Sequence, residues 1–332
     1  MSLLQIPREI RLQILHETIC HTGDQPSCPA VSQEGRTSLF GSRNGIWQLP
    51  IHNPALPLLL VNKQIHVEIK DVLERIPADY HVDIMFVKSY GLWTIWTIPS
   101  PPRTQYINSI HATFRLFEPT EDLDPRFKHS LSFRQGSGGP PSAVWSFYEL
   151  LNCVFTYGPG YPSRESLHQK GLAPPFAIKR IIINVSAPTD GASHKSIIWD
   201  DEKLSNMKLA RREKGRVDND VSVPTEQRLS SFMAIYLNMI LNPSYHTMDY
   251  GSFLYENVLE DITFLVKGQE YKRYDMDQLM AQHRLRDWGT TPSCIEKRQQ
   301  AYEKWLGWVH ERRRRMRQGL ELDNNRPVGR II

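Results

Sequence analysis

Apolar positions recur at helical spacing near both ends of this chain and alternate with polar ones through much of its middle. From Leu3 to Ile19, LLQIPREIRLQILHETI, the spacing predicts a helix: Pro7 suits a first turn, where its missing N–H costs nothing, and Glu9 suits the positive end of the helix dipole. At about 100° per residue, Ile10 and Ile14 fall on one side and Leu12, Leu15 and Ile19 on another. That arc is wider than the single stripe of a surface helix, so the helix needs two apolar neighbours. From Leu56 to Ile76 a second helix is predicted, with Val61, Ile65, Ile69, Val72 and Ile76 along one face, Pro57 in its first turn and Pro77 as its stop. Neither helix can bury its apolar face alone, so the two are expected to pack together, Ile10 and Ile65 included, across the Gly-, Pro- and Ser-rich loop 20–55, with Trp47 anchoring the end of that loop.

After Pro77 the period changes. Val82, Ile84 and Phe86 alternate with His81, Asp83 and Met85, and Leu92–Ile98 (LWTIWTI) reads as a second strand. In Tyr106–Phe117, Ile110, Ala112, Phe114 and Leu116 face one way and Ser109, His111, Thr113 and Arg115 the other, the pattern of a sheet with one wet face. A helix follows from Ser142, with Val144, Phe147, Tyr148, Leu151, Val154 and Phe155 at helical spacing and Gly158 as its stop. Ile181-Ile182-Ile183, within 176–185, reads as a buried central strand. Residues 188–224 form a polar, charged excursion; Glu226–Leu241 is a strong helix, 253–259 a further helix, and 262–266 with 271–274 a hairpin across Lys267-Gly268-Gln269. Thr291-Pro292 opens a last helix whose stripe, Ile295, Tyr302, Trp305, Leu306 and Val309, must dock on something. Strands and helices mix without regular βαβ alternation, which favours an α+β fold over a doubly wound one.

The two N-terminal segments also carry a resemblance. LLQIPREIRLQIL resembles the opening of an F-box, and LLLVNKQIHVEI is similar to its later segment; the pair looks most like the F-box-like domain abundant in filamentous fungi. Pro7, Glu9, Ile10 and Arg11 match the first motif, and Leu59, Leu60, Val61, Asn62, Lys63, Gln64, Ile65 and Glu68 the second. Ile6 stands where the motif usually has Leu, and the match covers a minor part of the chain. The resemblance implies a substrate receptor of a Skp–cullin–F-box ubiquitin ligase, docked on the small adaptor subunit through Ile6, Pro7, Glu9, Ile10, Ile14 and Leu15, with the remainder capturing a protein target. The expected organisation is an F-box-like helical region at 1–77, packed on or beside a mixed, mainly antiparallel sheet domain with several helices at 78–290. A basic helix at 291–320 and a disordered tail at 321–332 follow.

Composition narrows the chemistry. The net charge of +4 is too mild to imply nucleic acid by itself. Four scattered cysteines make no disulfide framework, no secretory leader pattern opens the chain, and no apolar run approaches membrane-spanning length, so a cytosolic or nuclear location is expected and no membrane partner. His16, Cys20, His21 and Cys28 crowd together without a standard zinc spacing. The glycines of 136–139 are followed by Pro140 and Pro141 where a phosphate loop needs Lys-Ser/Thr. Asp200-Asp201-Glu202 reads as a solvated patch. With no catalytic constellation, metal set or cofactor motif, a non-catalytic interaction protein is expected. The alternatives are a nuclear or RNA-associated protein using Arg312, Arg313, Arg314, Arg315 and Arg317 as an import or nucleic-acid signal, and a purely structural F-box-like fold in which the helix pair is an integral part of one α+β domain; the plainest reading of the arginine run is a solvated helix end.

Overall fold

The computed structural model describes residues 3–39, 45–119, 122–129, 142–161, 175–187, 189–190, 223–242, 244, 247–285 and 287–328. The glycine cluster at 136–139, the carboxylates at 200–202 and the basic stretch at 211–214 lie outside them.

The fold is α+β, built on one mixed sheet of eight strands. In chain order these are β1 (Thr37–Ser38), β2 (Ile46–Gln48), β3 (Asp79–Val87), β4 (Gly91–Thr97), β5 (Tyr106–Phe117), β6 (Ala177–Ser186), β7 (Val258–Val266) and β8 (Gln269–Asp275), and they lie side by side as β1-β2-β4-β3-β5-β6-β7-β8. The helices are α1 (Arg8–Cys20), α2 (Ala55–Leu59), α3 (Lys63–Arg75), α4 (Ser142–Tyr157), α5 (Thr225–Leu241), α6 (Met248–Asn257), α7 (Met276–Ala281) and α8 (Pro292–Gln318).

The expectation of a mainly antiparallel sheet is corrected. β2/β4, β3/β5, β5/β6 and β6/β7 are parallel; only β1/β2, β3/β4 and β7/β8 are antiparallel. The reason lies in the connections. β3–β4 and β7–β8 are joined by tight turns, which permit only antiparallel pairing, whereas α4 lies between β5 and β6, and α5 and α6 between β6 and β7. Connections of that length allow the parallel crossover.

The strong periodicities hold. Val82, Ile84 and Phe86 of β3, Ala112, Phe114 and Leu116 of β5, Ile181 and Ile183 of β6 and Ile262 and Phe264 of β7 point into one core. Val144, Phe147 and Leu151 of α4, Phe232, Tyr236 and Ile240 of α5 and Leu254 of α6 close it. Gly158 ends α4 with φ 78°. The β7–β8 turn has Lys267 at φ 50° and Gly268 at φ 80°, left-handed at both positions as a tight hairpin requires. The helix expected at 253–259 is shifted: α6 starts at Met248, and Val258 already belongs to β7.

The opposite face of the sheet is wet in part only. Met85, Val87, Trp93 and Phe117 are covered there by Trp47, Leu123 and Phe127 in a second, smaller core. The 20–55 stretch is not merely a loop, because β1 and β2 extend the sheet from it. Arg36 fastens it: its guanidinium donates to the carbonyls of Ser32, Trp47 and Thr94 and to Ser32 Oγ and lies over the Trp93 ring, and burial pulls its pKa down to about 9. The tail expected to be disordered is described to Val328, and Arg312 holds the carbonyl of Asp323 and the side chain of Asn324.

Candidate functional site

The predicted single helix 56–76 is two. α2 ends at Leu59, and Asn62 caps α3 by accepting the Ile65 N–H at 2.9 Å. α1 packs against α3 as expected, but Ile10 takes no part in the contact. Leu15 and Ile19 join Ala55, Ile65, Ile69 and Val72 in a small core of their own. An ion pair sets the rotation of α1. Arg11, one helical turn before Leu15 on the same stripe, grips Glu68 with two hydrogen bonds of 2.6 Å and donates to the Ile6 carbonyl at 2.7 Å. The hydrogen bonds from Arg11 hold the Glu68 carboxyl below its usual range. Two parallel N–H···O bonds fix orientation as well as distance. With Arg11, Leu15 and Ile19 turned inward, Ile10 (50% exposed) and Ile14 (40% exposed) face out.

The structure therefore divides the residues expected to bind a partner. Pro7 immediately precedes α1 and is exposed, as is Glu9; Ile6 is half-buried; Ile10 and Ile14 stand free. Leu15 is corrected: it is buried and spent on the internal core. The outer face of α1 gains company from Leu3 and Leu4 in the turn before it, and Leu60, Val61 and Val67 are exposed around the start of α3. Of the two apolar neighbours that the width of the α1 arc demands, the described residues supply one.

The basic run behaves otherwise than expected. Arg312 and Arg313 are each 1% exposed, not in solvent. Arg312 donates to the Glu256 carbonyl and the Asn257 side chain; Arg313 donates to the carbonyls of Tyr255, Val258 and Leu259 and to Asp277. The sequence pattern missed this because buried arginines need partners distant in the chain, here the carbonyls where α6 gives way to β7. Arg314 and Arg315 pair with Glu311, whose carboxyl is drawn down to about 2 by the hydrogen bond from Arg314, and Arg317 pairs with Asp277. The docking stripe holds from its second member on: Tyr302, Trp305 and Val309 are buried and Leu306 packs beside them, whereas Ile295 is half-buried and outside that core.

A third feature lies on the face of the sheet opposite the main core. Cross-strand register aligns Thr97, His81 and His111 in one row and Ile95, Asp83 and Thr113 in the next. These side chains line a cavity of about 380 Å³, completed by Thr22–Pro26, Leu49 and His52. The rings of His81 and His111 stack with centroids 4.7 Å apart and planes 19° from parallel. Ser109 Oγ bonds both Asp79 Oδ1 and, at 2.8 Å, His111 Nε2. A carboxylate only accepts, so the single hydroxyl proton goes to Asp79 and His111 Nε2–H donates to Ser109. Ser109 thus sits between acid and imidazole, the reverse of a nucleophile activated by a base. Burial lowers the pKa of both histidines. The polar parity of β3 and β5 was legible in the sequence; their adjacency, and hence the stacked pair, was not.

Among the described residues no three His, Cys, Asp or Glu side chains converge as a metal site. Cys20 Sγ lies 3.8 Å from His16 Nε2, and burial raises its thiol pKa. No described helix is long and apolar enough to cross a membrane. Comparison with protein-family profiles, with curated proteins and with solved structures returns no match for this chain.

Proposed function

We propose that this chain is a non-catalytic interaction protein, an F-box-like receptor whose outer α1 face docks on the small adaptor subunit of a Skp–cullin–F-box ubiquitin ligase. The observation that carries the reading is the exposure of Ile10 and Ile14 on a helix whose inner stripe is already filled. Large apolar side chains paired on one rigid helix face favour a partner over water. Pro7, Glu9, Ile10 and Arg11, which carry the F-box resemblance, lie at this end of α1, and Asn62 and Glu68 of the second motif serve as the α3 cap and the partner of Arg11. The sheet domain then has the role of holding a protein target, and the transfer chemistry belongs to partner enzymes. No geometry favours the nuclear or RNA-associated alternative, since every arginine from Arg312 to Arg315, and Arg317, already has a partner within the chain.

Isothermal titration of the full chain with purified adaptor tests the proposal. Wild type binds, and Ile10→Glu, which sets an unpaired charge in the apolar contact, weakens binding at least about ten-fold with an unchanged unfolding midpoint. A folded wild-type chain that does not bind the adaptor sinks the reading.

A further inference from the structure

The cavity on the open sheet face has a chemistry that selects its occupant. Its walls are set in place: Arg115 donates to the Pro26 carbonyl at 2.8 Å and Thr189 Oγ1 to the Ser27 carbonyl at 2.8 Å, so the loop after α1 is pinned over the sheet. That loop approaches closely; a Cβ on Gly23 would lie 3.0 Å from His52 Nε2. The volume, about 380 Å³, suits a small molecule or one side chain of a peptide.

Although the chain carries a net charge of +4, no Lys or Arg among the described residues lines this cavity. Asp83 is neutralised by the two hydrogen bonds it accepts from Arg115, whereas Asp24 is exposed and makes no hydrogen bond among the described residues. His111 spends its one N–H on Ser109, so its Nδ1 is left as an acceptor. His81 makes no hydrogen bond among the described residues and offers a flat ring, as does His52 at the rim. An anion entering here would meet lone pairs and a carboxylate. A group that fits must donate hydrogen bonds, carry positive charge and be flat.

We infer that the cavity takes the guanidinium of an arginine in a peptide, stacked on the free face of His81 and paired with Asp24. Arginine supplies five donors in one plane, has no acceptor and stacks on aromatic faces; lysine has the charge without the plane. The identity of the peptide as a ligase target rests on the function proposed above, but the site itself does not involve α1, and its test needs no adaptor.

The test is a titration of the full chain with the peptides acetyl-Gly-Arg-Gly-amide, its citrulline counterpart and its lysine counterpart, followed through the histidine ring resonances by NMR. Assignments come from His81→Gln and His111→Gln. The arginine peptide is expected to shift the His81 and His111 signals saturably, with the lysine and citrulline peptides at least about five-fold weaker. Asp24→Asn, a surface change that leaves the fold alone, weakens the arginine peptide by up to about five-fold, as loss of an exposed ion pair does. Equal binding of citrulline, saturable shifts with inorganic phosphate instead, or no shift with the arginine peptide at a preserved unfolding midpoint would each overturn the assignment.

Discussion

Helices α1 and α8 carry the same ingredients, arginines beside large apolar side chains, and dispose of them in opposite ways. In α8 the largest costs are matched within the chain: Trp305 is buried with its Nε1–H on Glu256, and Arg312 and Arg313 are buried against the carbonyls at the α6–β7 junction, although the indole N–H of Trp308 and the Nε–H of Arg313 are buried without an acceptor. In α1 one arginine, Arg11, is inside, paired with Glu68, and two isoleucines, Ile10 and Ile14, are outside. Exposed apolar surface is therefore not general to this molecule's helices. It concentrates where the N-terminal helix pair has a small core and a second face left over.

Breaking α8 should have the largest effect. Trp305→Ala opens a cavity and takes the indole donor from Glu256, which keeps only its ion pair with Arg326 at that oxygen, at a cost of about 3–5 kcal/mol measured by urea unfolding. A loss under about 1 kcal/mol would mean that α8 is not docked as described. Next, Arg313→Ala leaves carbonyls of Tyr255, Val258 and Leu259 without their donor and is expected to cost about 3 kcal/mol, while Arg315→Ala, at the surface, stays within about 0.5 kcal/mol. Equal costs would dissolve the distinction between the buried and exposed halves of the arginine run.

Acid sharpens the same region. His283, against Tyr302 and Trp305, has its pKa lowered to about 4 by burial. The unfolded chain, with an ordinary value of about 6.5, takes up this proton first, so stability falls as pH drops below about 6.5 and levels off below about 4. The full effect is roughly 3 kcal/mol, and His81 and His111, shifted in the same direction, add to it. His283→Phe should flatten most of this dependence in urea midpoints taken from pH 7 to 4; an unaltered slope would place the effect elsewhere. The smallest effect belongs to α1: Ile10→Glu, decisive for the proposed docking, should change the stability of the isolated chain by no more than about 0.5 kcal/mol.

Sequence alone determined the local elements and their inner faces wherever period and burial agree. The alternation of β5, the stripes of α4 and α5, the Lys267-Gly268 turn and the docking face of α8 were all readable, because each depends on residues within a few positions of one another. Only the tertiary structure decided which strands run parallel, which side of a two-sided helix turns inward, and where a charge can be buried. Ile10 and Leu15 are equally apolar as letters, and the partner of Arg11, at Glu68, determines which of them is covered. Arg313 reads as solvated until the carbonyls of Tyr255, Val258 and Leu259 are brought against it. His81 and His111 are single polar positions on separate strands until the register of β3 on β5 stacks them. In each case the deciding partner lies far away in the chain, and burial and pairing energies belong to the contact, not to either residue alone.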